Sequence, residues 1–360
     1  MKFYHNRGRH SEKLTEYFAP ELLDAFYTED VLTALYGDRW HSVLIVDGDK
    51  GFHHTFVPSE IAGTGYFDIE PFIGYSGPVT VNADKEFLVS AFAQYTDFCC
   101  EQRVVAELIR FNPHMKNHLM LEGVSDAMRI VEGKQLVYVP LHKDDEEQLK
   151  VYSKYCRKAV RRGYREYNAK EFALTSPQWD VFPLMYSGAM KKLESEPCWL
   201  FDADFFNRLR NCKNIRFFGV YKKDESDSDL VVASVVISGR DVSYHFITAN
   251  IDSESEVRAN KVMIHTIASA MAQRGVSYLC LGGGHSDSPD DPLLYYKQRF
   301  SYNTKFLPLG FVTHNEKVLS EFVESSIEED KTVKEKKMFL KYRLAKSYDR
   351  GRMTVADLLM

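Results

Sequence analysis

Leu279 to Gly310 reads LCLGGGHSDSPDDPLLYYKQRFSYNTKFLPLG, and its interpretation decides the architecture of the whole chain. An apolar run from Val276 to Leu281 ends in three glycines, the pattern of a buried strand that opens into a backbone-lined turn. Asp290 or Asp291 can cap the helix that follows, Pro292 suits its first position, and Leu293, Tyr296 and Phe300 fall at i, i+3 and i+7 on one face. Lys297 lies four residues after Leu293, so the same geometry turns it toward that apolar face. A lysine there either runs its stem along apolar surface with the ammonium in water, or is a fixed cation in a cleft beside the free amides of a glycine turn. Spacing alone does not decide between the two.

The chain has 360 residues, which makes two domains of moderate size the default. Hydrophobic residues make up 44% and aromatics 13%, enough for two cores and the composition of a folded protein. The longest clear apolar run, Leu230 to Ile237, is strand length, and the start MKFYHNRGRHSEK is polar without an apolar signal core. A cytoplasmic location is therefore expected. Six scattered cysteines show neither C-x-x-C nor a zinc-ligand spacing, so reduced thiols and no metal site are expected. The net charge of −5 argues against a general nucleic-acid binder. Lys150, Lys154, Arg157, Lys158, Arg161, Arg162 and Arg165 nevertheless crowd one stretch, and Lys331 to Arg352 is basic again.

Working outward, periodicity predicts a helix over Glu21 to Tyr36 and a hairpin of Ser42 to Val46 with Phe52 to Val57 across DGDKG. An extended segment FDIEPFIGYSGPV follows, in which Tyr75 and Ser76 can meet a polar ligand. Lys85 to Gln102 reads as a helix and Val104 to Phe111 as a strand, with a further hairpin turning at Glu132-Gly133. A long helix is predicted from Asp144 to Tyr164, stopped near Gly163, then a strand over Phe172 to Leu174 and helices over Gln178 to Leu193 and Asp202 to Arg210. Three strands (Ile215 to Tyr221, Leu230 to Ser238, Val242 to Ala249) precede a helix from Glu256 to Arg274, the Tyr278 to Leu281 strand, the Lys297 helix, and the strand Lys305 to Val312. A strand, helix, strand crossover in that order requires local parallel pairing inside an otherwise antiparallel sheet. The glycine turn then lies at the C-terminal end of a central strand. The closing segment, Thr332 to Met360, is read as containing one helix with Met338, Phe339, Tyr342 and Leu344 as its apolar contacts, packed on the body or on a partner.

This order resembles the GNAT acyltransferase fold. YLCLGGG, DPLLYYKQRFS, FLPLGFVTHN and FIGYSGP, with YSGAMKKLESEPCWLFDADFF and VRANKVMIHTIASAMAQRG, resemble its FemAB-type branch, whose members carry two GNAT-like domains in tandem. The resemblance implies an α/β (α+β) chain of two such domains, each a mixed, mostly antiparallel sheet flanked by helices. The boundaries expected are 1–142 for an N-terminal domain, 143–325 for a catalytic domain and 326–360 for a basic helical tail. It also implies acyl or aminoacyl transfer to an amine of a cell-envelope precursor, peptidoglycan or surface polysaccharide, by direct attack without a metal or a covalent intermediate. No cofactor is held permanently; the donor is a co-substrate, aminoacyl-tRNA or acyl-CoA. No transmembrane segment is expected, and peripheral membrane contact stays open.

By position Lys297 matches the family's catalytic lysine and Tyr296 the aromatic residue before it, with His245 as a base for the attacking amine. Tyr244, Asn250, Arg258, Asn260, Gly283, Gly284 and His285 are the donor-side candidates. Tyr75, Ser76, Arg110, Asn112 and Lys116 are the acceptor-side candidates, for phosphate or sugar in a groove between domains; an ion pair of Arg110 with Glu107 is the competing reading. The turn IDSESEVRANK lacks glycine and carries Asp252, Glu254 and Glu256, which disfavours the pyrophosphate of coenzyme A; the FemAB-type branch shares that loss, and the resemblance therefore implies aminoacyl-tRNA as the simplest donor. Two rival functions follow: an acyl-CoA-dependent N-acyltransferase acting on an amino sugar, and a non-catalytic ligand-binding or scaffold protein.

Overall fold

The computed structural model describes residues 1–70, 73–195, 199–227, 229–251, 257–286, 288, 290–335 and 339–344. The chain forms two compact units, Met1–Gly133 with Phe306–Met360, and Lys134–Lys305. The last strand and the residues after it, expected with the second domain or as a separate tail, belong to the first unit.

In the first unit, Lys2–Arg7, His41–Asp47, Lys50–Phe56 and Val79–Val81 form an antiparallel sheet in that order. A second set of strands runs Pro58–Ile61, Tyr66–Ile69, Val104–Arg110 and Thr304–Thr313, the last from Phe306 on, with Tyr66–Ile69 parallel to Val104–Arg110. The helix Lys85–Glu101 starts where Asp84 accepts the Phe87 amide, and buries Phe87, Leu88, Ala91, Phe92 and Tyr95 against Val43, Ile45 and Phe52.

The second unit holds the crossover expected from the sequence. Its strand order is Met128–Pro140 (from Lys134 on), Tyr278–Gly282, Val242–Asn250, Leu230–Ser238, Ile215–Lys222 and Tyr167–Phe172. All neighbours are antiparallel except Val242–Asn250 with Tyr278–Gly282, which pair in parallel over only three rungs, Val242 with Tyr278, Ser243 with Leu279 and Tyr244 with Cys280. Beyond Cys280 the pairing stops. The helix Val257–Gln273 covers one face of this sheet, burying Met263, Ile264, Ile267 and Met271 with Val236, Leu279 and Phe300.

Several elements depart from expectation for local reasons. Glu21 to Tyr36 is broken into two single turns, Pro20–Leu22 and Ala25–Tyr27, and a helix Glu29–Tyr36. Asp24 and Thr28 each cap a new start by accepting an amide from Phe26 and Val31. Glu132-Gly133 is no turn: Met128–Pro140 is one strand, and a Cβ on Gly133 would lie 2.9 Å from the Leu307 carbonyl oxygen, so the glycine serves close approach. Asp144 to Tyr164 splits into Asp145–Val151 and Lys154–Glu166, because Tyr152 turns into the core against His265 and Phe300 and Ser153 caps afresh on the Cys156 amide. Gly163 sits inside the second of these, where a Cβ would meet Val262 and the Arg258 carbonyl; it packs two helices and stops neither. The strand expected over Phe172 to Leu174 is Tyr167–Phe172.

Among the described residues no helix is long and apolar enough to cross a membrane. Ahead of the closing segment lies a helix not read from the sequence, Glu316–Glu329; of the closing segment itself, the described residues form single turns at Lys331–Glu335 and Lys341–Leu344, and the rest of the helix expected there lies outside the described residues. Phe339, Leu340 and Tyr342 pack with Val105, Leu108 and Phe311 of the first unit. Met338 lies outside the described residues.

Candidate active site

The parting of the two parallel strands determines what can be placed between them. Tyr278–Gly282 ends on Gly282, whose φ of +73° suits glycine, and a Cβ there would lie 3.5 Å from the Lys297 ammonium nitrogen. The helix Pro292–Gln298 then returns Lys297 to the strand end, where its Nζ donates to the Gly283 carbonyl at 2.6 Å. The ammonium is thus held on the glycine turn by a side chain that is half-buried. Burial pushes its pKa down to about 8, with Cys280 and Asp291 pulling the other way.

Asp291 holds the helix start. Its buried carboxylate accepts from the Leu293, Leu294 and Ser286 amides, each at 2.9 Å, and from the Ser286 hydroxyl at 3.0 Å. Burial opposes its ionisation, but those donors outweigh it and keep the carboxyl well below the usual range. Gly284 is packed onto this cap: a Cβ would fall 2.5 Å from the Asp291 carboxylate. Gly284→Ala is therefore expected to lower stability by about 1–3 kcal/mol and, by shifting the helix that carries Lys297, to cut activity further than the lost stability explains. A thermal melt beside an initial-rate assay checks this; unchanged values in both would show that the turn relaxes freely.

His245 stands on Val242–Asn250 one residue past the last parallel rung, next to a bulge that sets Val235 opposite Ile247 and Val236 opposite His245. Its Nε2 lies 2.9 Å from the Thr248 hydroxyl, which in turn lies 2.9 Å from that of Ser234. Burial, and then the Lys297 charge, lower its pKa to about 3. An imidazole held so low is a hydrogen-bonding group at neutral pH and a poor proton acceptor, which weighs against the role of base. Tyr296 packs edge-on against Phe300, and its buried hydroxyl has no hydrogen-bond partner among the described residues.

Sequence reasoning passed over Lys261. It is 2% exposed on Val257–Gln273, with its nitrogen 4.9 Å above the Tyr296 ring and 3.4 Å from the Val257 carbonyl oxygen. Burial lowers its pKa too. The signal that exposed Lys297, a cation within an apolar helical repeat, was equally present in Ala259, Lys261, Val262 and Met263.

The remaining donor-side candidates scatter. Tyr244 is buried in its strand, the Asn250 side-chain oxygen is buried without a partner among the described residues, and His285 is exposed beside the glycines. Arg258 is tied to Glu166 at 2.9 Å, and Asn260 is half-buried two residues along. Asp252, Glu254 and Glu256 lie outside the described residues.

The acceptor-side candidates belong to the first unit. Ser76 donates its amide to the Arg110 carbonyl at 2.7 Å, and Tyr75 stacks edge-on with Phe26. Asn112 is fully buried and spends its side-chain oxygen on the His114 and Met115 amides, while Lys116 is exposed. Arg110 is half-buried, and its Nε has no partner among the described residues. It makes no ion pair with Glu107 among the described residues; that carboxylate is instead bonded to His54 at 2.6 Å and to the Tyr95 hydroxyl at 2.9 Å.

No family model matches the chain, and no curated protein matches it by sequence. Among solved structures, FemX aligns over 90% of this chain and 100% of its own, with a TM-score of 0.67 at 12% identity. The chain has the FemX fold. A conserved protein of unknown function from Bacteroides thetaiotaomicron VPI-5482 aligns at a TM-score of 0.51 and 10% identity, over 79% of this chain and 89% of its own. The C-terminal domain of a putative lysylphosphatidylglycerol synthetase from Agrobacterium fabrum gives 0.50 and 11%, over 76% and 85%. The FemAB-type resemblance read from the sequence thus holds at the level of fold, over the full length of FemX and 90% of this chain.

Proposed function

We propose that this FemX-like chain transfers an acyl or aminoacyl group from an ester or thioester donor to an amine of a cell-envelope precursor, with aminoacyl-tRNA as the donor. The observation that supports it most is the Lys297 ammonium, held on the Gly283 carbonyl where the two parallel strands part. Attack of an amine on a carbonyl builds an oxyanion, and then a leaving oxygen or sulfur that needs a proton. A partly desolvated ammonium with a pKa of about 8 suits both needs: it is charged at neutral pH and can release its proton. The amide C–N bond forms, the donor's C–O or C–S bond breaks, and the nucleophile's proton leaves through solvent or the departing group.

Arg110 and Lys116 remain the proposed cations for an anionic acceptor, and Tyr296 the proposed donor-side contact. The direct test offers purified protein a peptidoglycan precursor with a free lysine amine, together with either alanyl-tRNA or acetyl-CoA. Amide formation from the aminoacyl ester, with acetyl-CoA binding weaker than about micromolar, is expected. Product from acetyl-CoA would reassign the donor, and no product from either donor, with no binding of the precursor, would overturn the transferase reading.

A further inference from the structure

The first unit carries a cleft of about 370 Å³ that the transfer chemistry does not use. Its origin lies in strand register. Arg7, His41 and Phe56 stand opposite one another across three antiparallel strands and so project from one face of the sheet. The helix Lys85–Glu101 covers this face higher up, where Phe98 packs on Phe3 and His5, but it ends before the last rung. Phe98, Phe67 and Phe56 become walls of the space left over, with Arg7, Arg39 and His41 around its mouth.

The polar groups there are fixed from behind. Arg7 donates through Nε to the Asp38 carbonyl at 3.1 Å, and Arg39 through Nε to the Tyr36 carbonyl at 3.2 Å. Each guanidinium is thereby oriented while its terminal nitrogens remain for another acceptor. Asp38 meets Arg7 only at 3.9 Å and its side chain is 86% exposed, so it does little to neutralise that arginine. His41 bonds His5 at 2.9 Å. Burial, His5 and Arg7 hold the His41 pKa at about 4, so the imidazole is neutral at pH 7.

We propose that this cleft binds a small organic carboxylate with a flat apolar body, of the aromatic-acid class: the ring lies between the phenylalanines and the carboxylate meets Arg7 and Arg39. The volume falls within the usual range for small-molecule sites, and oriented arginines at the rim of an apolar floor match a carboxylate whose body is apolar. A free inorganic anion would leave the aromatic walls unused, and a neutral ring would leave the arginines unused. The inference does not rest on the proposed transfer reaction.

The test is calorimetric titration of the full chain with phenylacetate, 2-phenylethanol, acetate and inorganic phosphate, repeated on Arg39→Gln, Arg7→Gln and Lys297→Ala. Both arginines are exposed, so the glutamine variants should fold, which a melting curve verifies. Saturable phenylacetate binding is expected, stronger than that of the other three probes, weakened about tenfold in either glutamine variant and unchanged in Lys297→Ala. No saturation by about 10 mM, equal binding of 2-phenylethanol or phosphate, indifference to both glutamine variants, or loss in Lys297→Ala would each overturn the proposal.

Discussion

Replacing Lys297 by alanine is expected to lower the transfer rate by about 100-fold or more, the cost of removing one preorganised donor from a developing oxyanion. Stability should move the other way. A lysine whose folded pKa is depressed from 10.5 to about 8 binds its proton less well in the native state than in the unfolded chain. The penalty is fully present below about pH 8, shrinks as pH rises and is gone above the unfolded value. Lys297→Met, which keeps the stem and drops the charge, should therefore be more stable at pH 7 by about 1–3 kcal/mol, an advantage that fades toward pH 10 or so. Wild-type activity that needs the ammonium should fall as pH passes about 8, and Lys297→Arg, if it retains measurable rate, should lack that limb. Denaturant titration at two pH values, paired with initial rates, checks all three. A methionine variant both inactive and less stable would mean that the lysine is a packing element.

That Lys297 could be singled out from sequence follows from what local rules record. The apolar run before three glycines, Pro292 at a helix start and a cation four residues after Leu293 are all short-range facts, and each reappears as a strand end, a cap and a fixed ammonium. The parallel rungs were also legible, because element order alone demands them. What escaped was set by partners distant in sequence. Glycine marks a turn or a close approach, and neither Gly133 nor Gly163 reveals which until Leu307 or Val262 is placed beside it. Glu316–Glu329 went unread because its apolar positions are interrupted by Glu321 and Glu324 in a segment that holds five glutamates. Asn112, offered to a ligand on residue type, is consumed by its own turn. The same distant pairing explains Lys261, whose ammonium sits over Tyr296, thirty-five residues on.

Arg343→Ala should give the largest stability effect in the molecule, a loss of about 3–5 kcal/mol. The Arg343 side chain is 1% exposed, donates to the Asp68 carboxylate at 2.5 and 3.0 Å, and is ion-paired with Glu70, which is also buried. The Tyr342 hydroxyl adds a bond to Asp68 at 2.6 Å. Removing the guanidinium leaves two carboxylates in the core of the first unit without their counter-charge, and the penalty lies in that residue of unpaired charge more than in the lost bonds. The sign of the pH dependence follows. Without Arg343 the buried carboxyls hold protons more tightly folded than unfolded, so the variant should regain stability as pH falls through the carboxylate range, where wild type gains nothing comparable. Adding Asp68→Asn and Glu70→Gln to Arg343→Met should recover most of the loss, because the desolvation cost leaves with the charges. Urea midpoints of the three chains at pH 7 and pH 5 decide it: equal midpoints for Arg343→Ala and wild type at pH 7 would show that Lys341–Leu344 is not pinned by its charge.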